Sequence, residues 1–165
     1  MGARRNVAAW TIALHAAACG GSDPPFDPRP YVGEWRGRWV DDRGRRGAVD
    51  LTATAMGGGL ELTYDVRSLA IPGLRPATER LHAEARGAEA VVEAHRSDVL
   101  GEVTATIDSE GVVTVDCDGV PGPIAALYAN GRWTAARLKL FVDVRYDDDL
   151  LTSEATVELE LRGRD

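Results

Sequence analysis

The chain has 165 residues, of which 44% are hydrophobic and 27% are charged, and its formal net charge is -7 at pH 7. These values are typical of one globular domain with an additional segment, and they exclude an intrinsically disordered chain and a multi-pass membrane protein. The acidic balance also argues against a nucleic-acid partner, because binding to a phosphate backbone needs clustered lysine and arginine.

Residues 1–18 have the three-part pattern of a secretory signal peptide. Arg4 and Arg5 supply a positive start, an apolar stretch runs from Val7 to Ala18, and the stretch ends in small residues. It is short for a helix that spans a membrane. We therefore expect this segment to direct export and to be removed.

The run AAACGGS, residues 16–22, resembles the lipobox of bacterial lipoproteins. The resemblance implies cleavage before Cys19 and acylation of that cysteine. Each buried methylene of an acyl chain contributes roughly 0.8 kcal/mol, so the two or three chains that the resemblance implies give an effectively permanent anchor. Two alternatives are open. The protein could be secreted after an ordinary Ala-x-Ala cleavage, or it could be cytosolic, with residues 1–18 forming a buried helix.

Residues 19–30 are predicted to be a tether that is rich in glycine at first and in proline afterwards. By comparison with enterobacterial lipoproteins, Gly20 in place of aspartate after the cysteine implies the outer membrane of the cell envelope rather than the inner membrane. If Cys19 is acylated, Cys117 has no disulfide partner, and we expect it to be a small buried hydrophobic residue.

From residue 31 onward, apolar and polar residues alternate with the period of a half-buried β-strand. In the opening stretch Trp35 and Trp39 share one face, whereas Arg36 and Arg38 share the other. Nine stretches of this kind, separated by turn signals, are centred on residues 31–40, 49–54, 60–66, 81–85, 90–94, 103–107, 113–117, 137–146 and 155–162. We predict that residues 31–165 form one all-β domain, a closed antiparallel up-and-down barrel of about eight to nine strands, with a β-sandwich as the alternative.

Three stretches interrupt this rhythm. Residues 68–79 contain two prolines and are expected to be either a lid over the barrel or a wide connection. Residues 80–95 alternate around Gly87 like two strands, although their alanine and glutamate content also allows a helix. The run IAALYAN, residues 124–130, is predicted to form one short helix that plugs one end of the barrel.

The run YVGEWRGRW resembles the first strand of the calycin superfamily, the lipocalins and their relatives, whose Gly-x-Trp motif corresponds to Gly33, Glu34 and Trp35. The resemblance implies an eight-stranded barrel with this tryptophan near its closed base. It also implies that an arginine from the end of the last strand lies across the tryptophan in a cation–π contact. Arg162 could supply that arginine, with Arg164 as a substitute.

The sequence contains no recognisable catalytic motif or set of metal ligands. His82 and His95 could share a metal only as cross-strand neighbours on one face, and Asp116 to Gly119 lacks the further ligands of a calcium loop. The acidic run from Asp147 to Asp149 is expected to be a solvated hairpin tip. We therefore predict neither enzymatic activity nor a cofactor.

The predicted function is binding of a small apolar ligand or lipid by a monomeric, membrane-tethered envelope lipoprotein. Inward-facing positions are expected to line its cavity: Trp39, Tyr64, Leu140, Val142, Val144 and Tyr146. Small residues at other inward positions, namely Gly37, Ala53, Ala83 and Ala85, would leave volume unfilled. The alternative is a solid-core structural or accessory lipoprotein that contacts a partner protein, and the outward-facing Phe141 is its first candidate contact.

Overall fold

The computed structural model describes residues 24–66, 78–148 and 151–164, which form a closed antiparallel β-barrel. Its strands are β1 (Gly33–Asp41), β2 (Arg46–Met56), β3 (Gly59–Val66), β4 (Thr78–Arg86), β5 (Glu89–Ser97), β6 (Gly101–Ile107), β7 (Val112–Asp118), β8 (Ile124–Trp133), β9 (Arg137–Tyr146) and β10 (Thr152–Gly163). Each strand pairs with the next along the chain, and β10 returns to pair with β1. The prediction of an all-β closed barrel is confirmed, and the β-sandwich alternative is wrong.

The barrel interior is built by the alternation seen in the sequence. In β1, Trp35 and Trp39 are 1% and 6% exposed, whereas Glu34, Arg36 and Arg38 are exposed to solvent. Successive side chains of a strand point to opposite faces, so one local pattern decides which side chains are inside. Closure gives every strand a neighbour on both sides, although β4 pairs with β5 only from Glu84 to Arg86.

The short helix predicted at residues 124–130 is wrong, because β8 occupies this stretch. Leu127 pairs with Cys117 of β7 on one side and with Val144 of β9 on the other. The alanines favour a helix locally, but a helix here would leave the facing edges of β7 and β9 without partners. This additional strand raises the predicted eight or nine strands to ten.

Residues 80–95, for which strands and a helix were both open, form β4, β5 and the turn between them. Gly87 in that turn has a φ of +60°, a conformation that suits glycine. A β-bulge interrupts β5 between Val92 and His95, where Ala94 has a φ of +38°. Among the described residues, no helix is long and apolar enough to cross a membrane.

Several predictions fall on residues outside the described ranges. The predicted signal peptide and Cys19 belong to residues 1–23, and most of the lid or wide connection belongs to residues 67–77. Of that connection, only Thr78 and Glu79 are described, and they begin β4. These predictions therefore stay predictions.

The two ends of the barrel differ in what covers them. We call the end where β1 begins and β10 ends the base, and the opposite end, where β1 ends at Asp41, the rim. The chain before β1 packs on the base, since Phe26 and Tyr31 are buried and the Phe26 N–H donates to the Gly87 carbonyl oxygen at 2.8 Å. Part of the predicted tether is thus packed against the barrel.

Candidate ligand cavity

The barrel encloses a cavity of about 280 Å³ whose wall is almost entirely aliphatic and aromatic. All six residues predicted to line a cavity lie on its wall: Trp39, Tyr64, Leu140, Val142, Val144 and Tyr146. They come from β1, β3 and β9, and the remaining strands contribute further aliphatic side chains such as Leu51, Val92 and Val115. A cavity lined in this way favours apolar contents.

Small side chains explain why the interior is not filled. Ala83, Ala90, Ala105 and Ala129 all lie on the cavity wall, where larger residues would occupy the central space. At the volume of liquid water, roughly 30 Å³ per molecule, the cavity corresponds to about nine or ten non-hydrogen atoms. At about 280 Å³ it is slightly smaller than typical ligand pockets, which span roughly 300–1,000 Å³.

Four aromatic rings close the base, and we call them the aromatic plug: Phe26, Tyr31, Trp35 and Trp133. Their centroids are 5.6 Å apart for Phe26 and Tyr31, 5.2 Å for Tyr31 and Trp133, and 5.3 Å for Trp133 and Trp35. The Trp35 indole Nε1–H also donates to the Tyr31 carbonyl oxygen at 2.8 Å. Such tilted and stacked pairs are favourable beyond the area they bury, so the aromatic plug stabilises the closed base.

The two arginines considered for the base lie in different places. Arg162 is exposed on β10, and its Nη2 lies 4.0 Å from Glu160 Oε2. Arg164 reaches over the base, where its Nη2 donates to the carbonyl oxygens of Ala135 at 3.0 Å and Pro30 at 3.4 Å. Arg164 therefore links the end of the chain to the segment that covers the barrel.

An ion pair lies at the rim, on the β1–β2 hairpin, between the buried Asp41 carboxylate and the Arg45 side chain, which is 36% exposed. Arg45 Nε lies 2.5 Å from Asp41 Oδ2, and Asp41 Oδ1 accepts the backbone N–H of Arg45 at 2.7 Å and of Arg43 at 3.1 Å. Burial by itself would raise the pKa of Asp41, but the hydrogen bonds from Arg45 and Arg43 outweigh it and lower the pKa. The hydrogen bond to Asp41 raises the pKa of Arg45, and the Tyr146 side chain, which lies on the cavity wall, adds to the effect.

This lowered pKa predicts a dependence of stability on pH. A carboxyl group whose pKa is lower in the folded than in the unfolded chain stabilises the fold above its unfolded pKa, about 3.9, and loses that contribution as the pH falls further. We expect the unfolding free energy of wild type to exceed that of Asp41→Asn by a constant amount at neutral pH. Below about pH 4 the difference should shrink. Urea unfolding of both proteins, from neutral pH to below about pH 4, measures this difference. A difference that stays constant or grows as the pH falls contradicts the prediction.

A second polar cluster lies near the rim where β3, β4 and β5 meet. The Tyr64 hydroxyl donates to Glu79 Oε2 at 3.1 Å, Glu79 Oε1 accepts the Val99 N–H at 3.0 Å, and Ser97 Oγ accepts the Leu100 N–H at 2.7 Å. Burial raises the pKa of Tyr64, and the Glu79 charge raises it further, so the phenol stays neutral and acts as a donor. The polar groups of the cavity are thus concentrated at the end opposite the aromatic plug.

Cys117 lies on the cavity wall and is 1% exposed. Burial raises the pKa of its thiol to about 12, and the charges of Asp116 and Asp118 add to the effect. Since the thiolate is the reactive form, native Cys117 should be alkylated by iodoacetamide at pH 8 at least about 100-fold more slowly than in the urea-unfolded chain. Peptide mass mapping separates its reaction from that of Cys19. Equal rates in the folded and unfolded chain would contradict the prediction.

Sequence reasoning missed four residues that shape the site. Trp133 was not singled out, although it lies two residues beyond Gly131 on the inward face of β8. Phe26 was assigned to a tether, and a lone aromatic residue among prolines was the available signal. Asp41 and Arg45 lie four residues apart in the polar run between the first two predicted strands, and nothing in that run distinguishes these two side chains as a pair.

The other titratable residues form no evident site. In the described parts of the chain, no three His, Cys, Asp or Glu side chains are grouped so that they could hold a metal ion. His82 pairs with Glu61 of β3, whereas His95 pairs with Val103 of β6. No protein-family profile, no curated protein and no solved structure matches this chain.

Proposed function

We propose that this protein is a membrane-tethered envelope lipoprotein whose barrel binds a small apolar ligand in its interior. The single observation that carries the proposal is the 280 Å³ cavity with its apolar wall. A solid-core barrel would fill this space with side chains, as small eight-stranded barrels commonly do. Transfer of an apolar molecule from water into such a cavity is favourable, by roughly 25 cal/mol for each Å² of apolar surface removed from water.

The direct test is binding of α-methylstyrene, a hydrocarbon of suitable size, measured by calorimetry. Wild type should bind it, whereas Val142→Trp should not, because the indole would occupy the cavity. Phe141→Trp is the matched control, since the neighbouring Phe141 side chain on β9 is 51% exposed and faces away from the interior. Circular dichroism verifies that each variant is folded before titration.

Two results would contradict the proposal. One is the absence of α-methylstyrene binding to folded wild-type protein. The other is equal binding by wild type and Val142→Trp, which would place the probe outside the cavity. Native mass spectrometry of protein purified from its own host is the complementary measurement, and it should show a small apolar molecule released from the barrel rather than the bare polypeptide.

The membrane tether is supported by the sequence around Cys19. A lipid on Cys19 would be seven residues from the packed Phe26, a span of at most roughly 25 Å. The base would then face the membrane and the rim would point away from it. The test is metabolic labelling with palmitate, which should label wild type and not Cys19→Ala. Persistent labelling, or a Cys19→Ala protein that stays in the membrane fraction, contradicts the anchor.

The alternative function is contact with a partner protein through an outer face of the barrel. Its motivation is Phe141, which is 51% exposed and lies under the Lys139 ammonium, 5.0 Å from its ring centroid. A Phe141→Asp protein should lose a partner in a pull-down from the envelope if this function is correct. If the Phe141→Asp protein retains every partner of wild type, Phe141 no longer supports this alternative function.

A further inference from the structure

The backbone ladder of the barrel is shortest between β4 and β5. These strands pair only through Glu84, Ala85 and Arg86 of β4, close to the turn at the base. At each of the other junctions the ladder runs through six residue pairs or more. Within the described strands, the stretch of β4 from Thr78 to Ala83 therefore pairs with β3 but not with β5. We call the line where this stretch faces residues 92–97 of β5 the seam.

The part of β5 that faces the seam is itself irregular. A β-bulge between Val92 and His95 leaves Glu93 and Ala94 outside the ladder with β6. Ala94 has a φ of +38°, a conformation that is strained for a residue with a side chain. This part of β5 thus has fewer ladder partners on both of its edges than a regular strand, and such stretches open more readily than fully paired ones.

Side chains close the seam where the backbone ladder does not. Near the rim, Glu79 of β4 accepts the backbone N–H of Val99, in the turn after β5, at 3.0 Å, and it accepts the Tyr64 hydroxyl at 3.1 Å. We call the contact between Glu79 and Val99 the Glu79 bridge. Further toward the base, Leu81 of β4 and Val92 of β5 are buried and lie on the cavity wall. Along the seam, therefore, side chains separate the cavity from solvent.

The wall should open more easily at the seam than at the other junctions. Elsewhere, a gap wide enough for a ligand breaks several consecutive backbone hydrogen bonds, and the separated N–H and C=O groups lose their partners. At the seam, the Glu79 bridge breaks and the apolar side chains on the two sides move apart. Fewer backbone groups lose a partner, so the open state is less costly there.

The inner side of the seam also suits an apolar molecule. Leu81, Ala83 and Val92 all lie on the cavity wall, so a ligand that passes between β4 and β5 stays in contact with apolar groups. At the rim, a ligand would instead pass the charged side chains of Asp41 and Arg45. The base is closed by the aromatic plug.

From the short ladder, the bulge and the Glu79 bridge, we propose that the seam between β4 and β5 is the entrance through which the ligand reaches the cavity, and that Glu79 holds this entrance closed. The inference rests on the proposed ligand-binding function. It assigns Glu79 a role in the rates of binding, because Glu79 does not itself line the cavity.

The first test is the rate of α-methylstyrene binding to Glu79→Ala, measured by stopped-flow tryptophan fluorescence, since Trp39 lies on the cavity wall. Loss of the Glu79 bridge favours the open state. Association and dissociation should therefore both become faster, by roughly the 3- to 10-fold expected for one net hydrogen bond. The dissociation constant, which is their ratio, should stay within about twofold of wild type, because the wall is unchanged.

Arg80→Ala is the matched control for Glu79→Ala. Arg80 is the next residue of β4, but its side chain is exposed and its Nε lies 3.7 Å from Oε1 of Glu61 in β3, on the side away from the seam. Both rate constants of Arg80→Ala should stay within about twofold of wild type, as for most exposed ion pairs. An altered dissociation constant with unchanged rates of association in Glu79→Ala would show that Glu79 acts on the bound state and would overturn its role at the entrance.

The second test closes the seam covalently. The exposed residues His82 and Glu93 would lie opposite each other if the ladder continued past Glu84 and Val91. In a Cys19→Ser background, the double variant His82→Cys, Glu93→Cys is joined by a short bismaleimide, to which the buried Cys117 is slow to react. Cross-linking should slow association and dissociation of α-methylstyrene at least about 10-fold relative to the same variant before cross-linking.

The control cross-link joins Glu61→Cys to His82→Cys. These positions pair directly across the complete β3–β4 ladder, which has no seam to close, so the rates should not change. Unchanged rates after cross-linking of positions 82 and 93 overturn the inference, because the ligand then enters elsewhere. Equal slowing by both cross-links also overturns it, since the effect would not depend on the seam.

The outcomes also separate this inference from the function on which it rests. If α-methylstyrene binds at equilibrium and its rates do not depend on the seam, the entrance is wrong and the cavity function stands. If α-methylstyrene does not bind to folded wild type, both proposals are wrong.

Discussion

Replacement of Trp35 by alanine is expected to lower the free energy of unfolding by about 3–5 kcal/mol, the range measured for large aromatic residues in protein cores. Trp35 is 1% exposed, and its ring lies 5.3 Å from that of Trp133. The substitution also removes the hydrogen bond to the Tyr31 carbonyl oxygen. Small domains are typically stable by about 5–15 kcal/mol in total, so the variant should lose a large share of its stability.

Urea unfolding followed by tryptophan fluorescence and circular dichroism measures this loss. Phe141→Ala is the control, because it also removes an aromatic ring but from a side chain that is 51% exposed, and it should change stability by less than about 0.5 kcal/mol. A Trp35→Ala protein no less stable than Phe141→Ala would show that the aromatic plug contributes little. The base would then have to be closed by other contacts.

Replacement of Gly37 by alanine is expected to cost about 2–3 kcal/mol, the upper part of the range for overpacking. A Cβ atom at Gly37 would lie 1.8 Å from the Glu158 carbonyl oxygen and 2.9 Å from the Leu159 Cα. Both are backbone atoms of β10, the strand that closes the barrel against β1. They can move away only if the pairing between these two strands is disturbed.

Gly163→Ala is the matched control for Gly37→Ala. Gly163 belongs to the same pair of strands, since it lies in β10 and pairs with Glu34 of β1. A Cβ atom at Gly163, however, meets nothing within 4 Å. It should therefore leave stability nearly unchanged, and amide hydrogen exchange should accelerate at the β1–β10 pairing in Gly37→Ala alone. Similar losses in the two variants would contradict the steric argument.

These two positions also connect the fold to the proposed ligand site. Trp35 supports Trp133 from below, and Gly37 allows β10 to approach β1 so that Leu159 and Val157 reach the cavity wall. A variant at either position should lose α-methylstyrene binding in proportion to its unfolded fraction, because the cavity exists only in the closed barrel.

The faces of the strands could be predicted from the sequence because side-chain alternation is a local property. All six predicted lining residues lie on the cavity wall, and Phe141, between Leu140 and Val142, is exposed. The short helix predicted at residues 124–130 is wrong for a related reason, because a local pattern cannot show which strands lie next to this stretch. Alanine, leucine and asparagine there are compatible with a helix or a strand, and only the neighbouring β7 and β9 decide for the strand.

The sequence alone therefore predicted an all-β domain and which side chains share a face of each strand, since both follow from a period of two and from the spacing of turns, but it left a barrel and a β-sandwich open. Tertiary structure decided that the sheet closes, and with it the size of the cavity and the position of Trp133 beneath an apolar space. These features depend on distances between residues far apart in the chain, which the barrel establishes only when β10 closes against β1. The pairing of Asp41 with Arg45 is set by the local turn between β1 and β2.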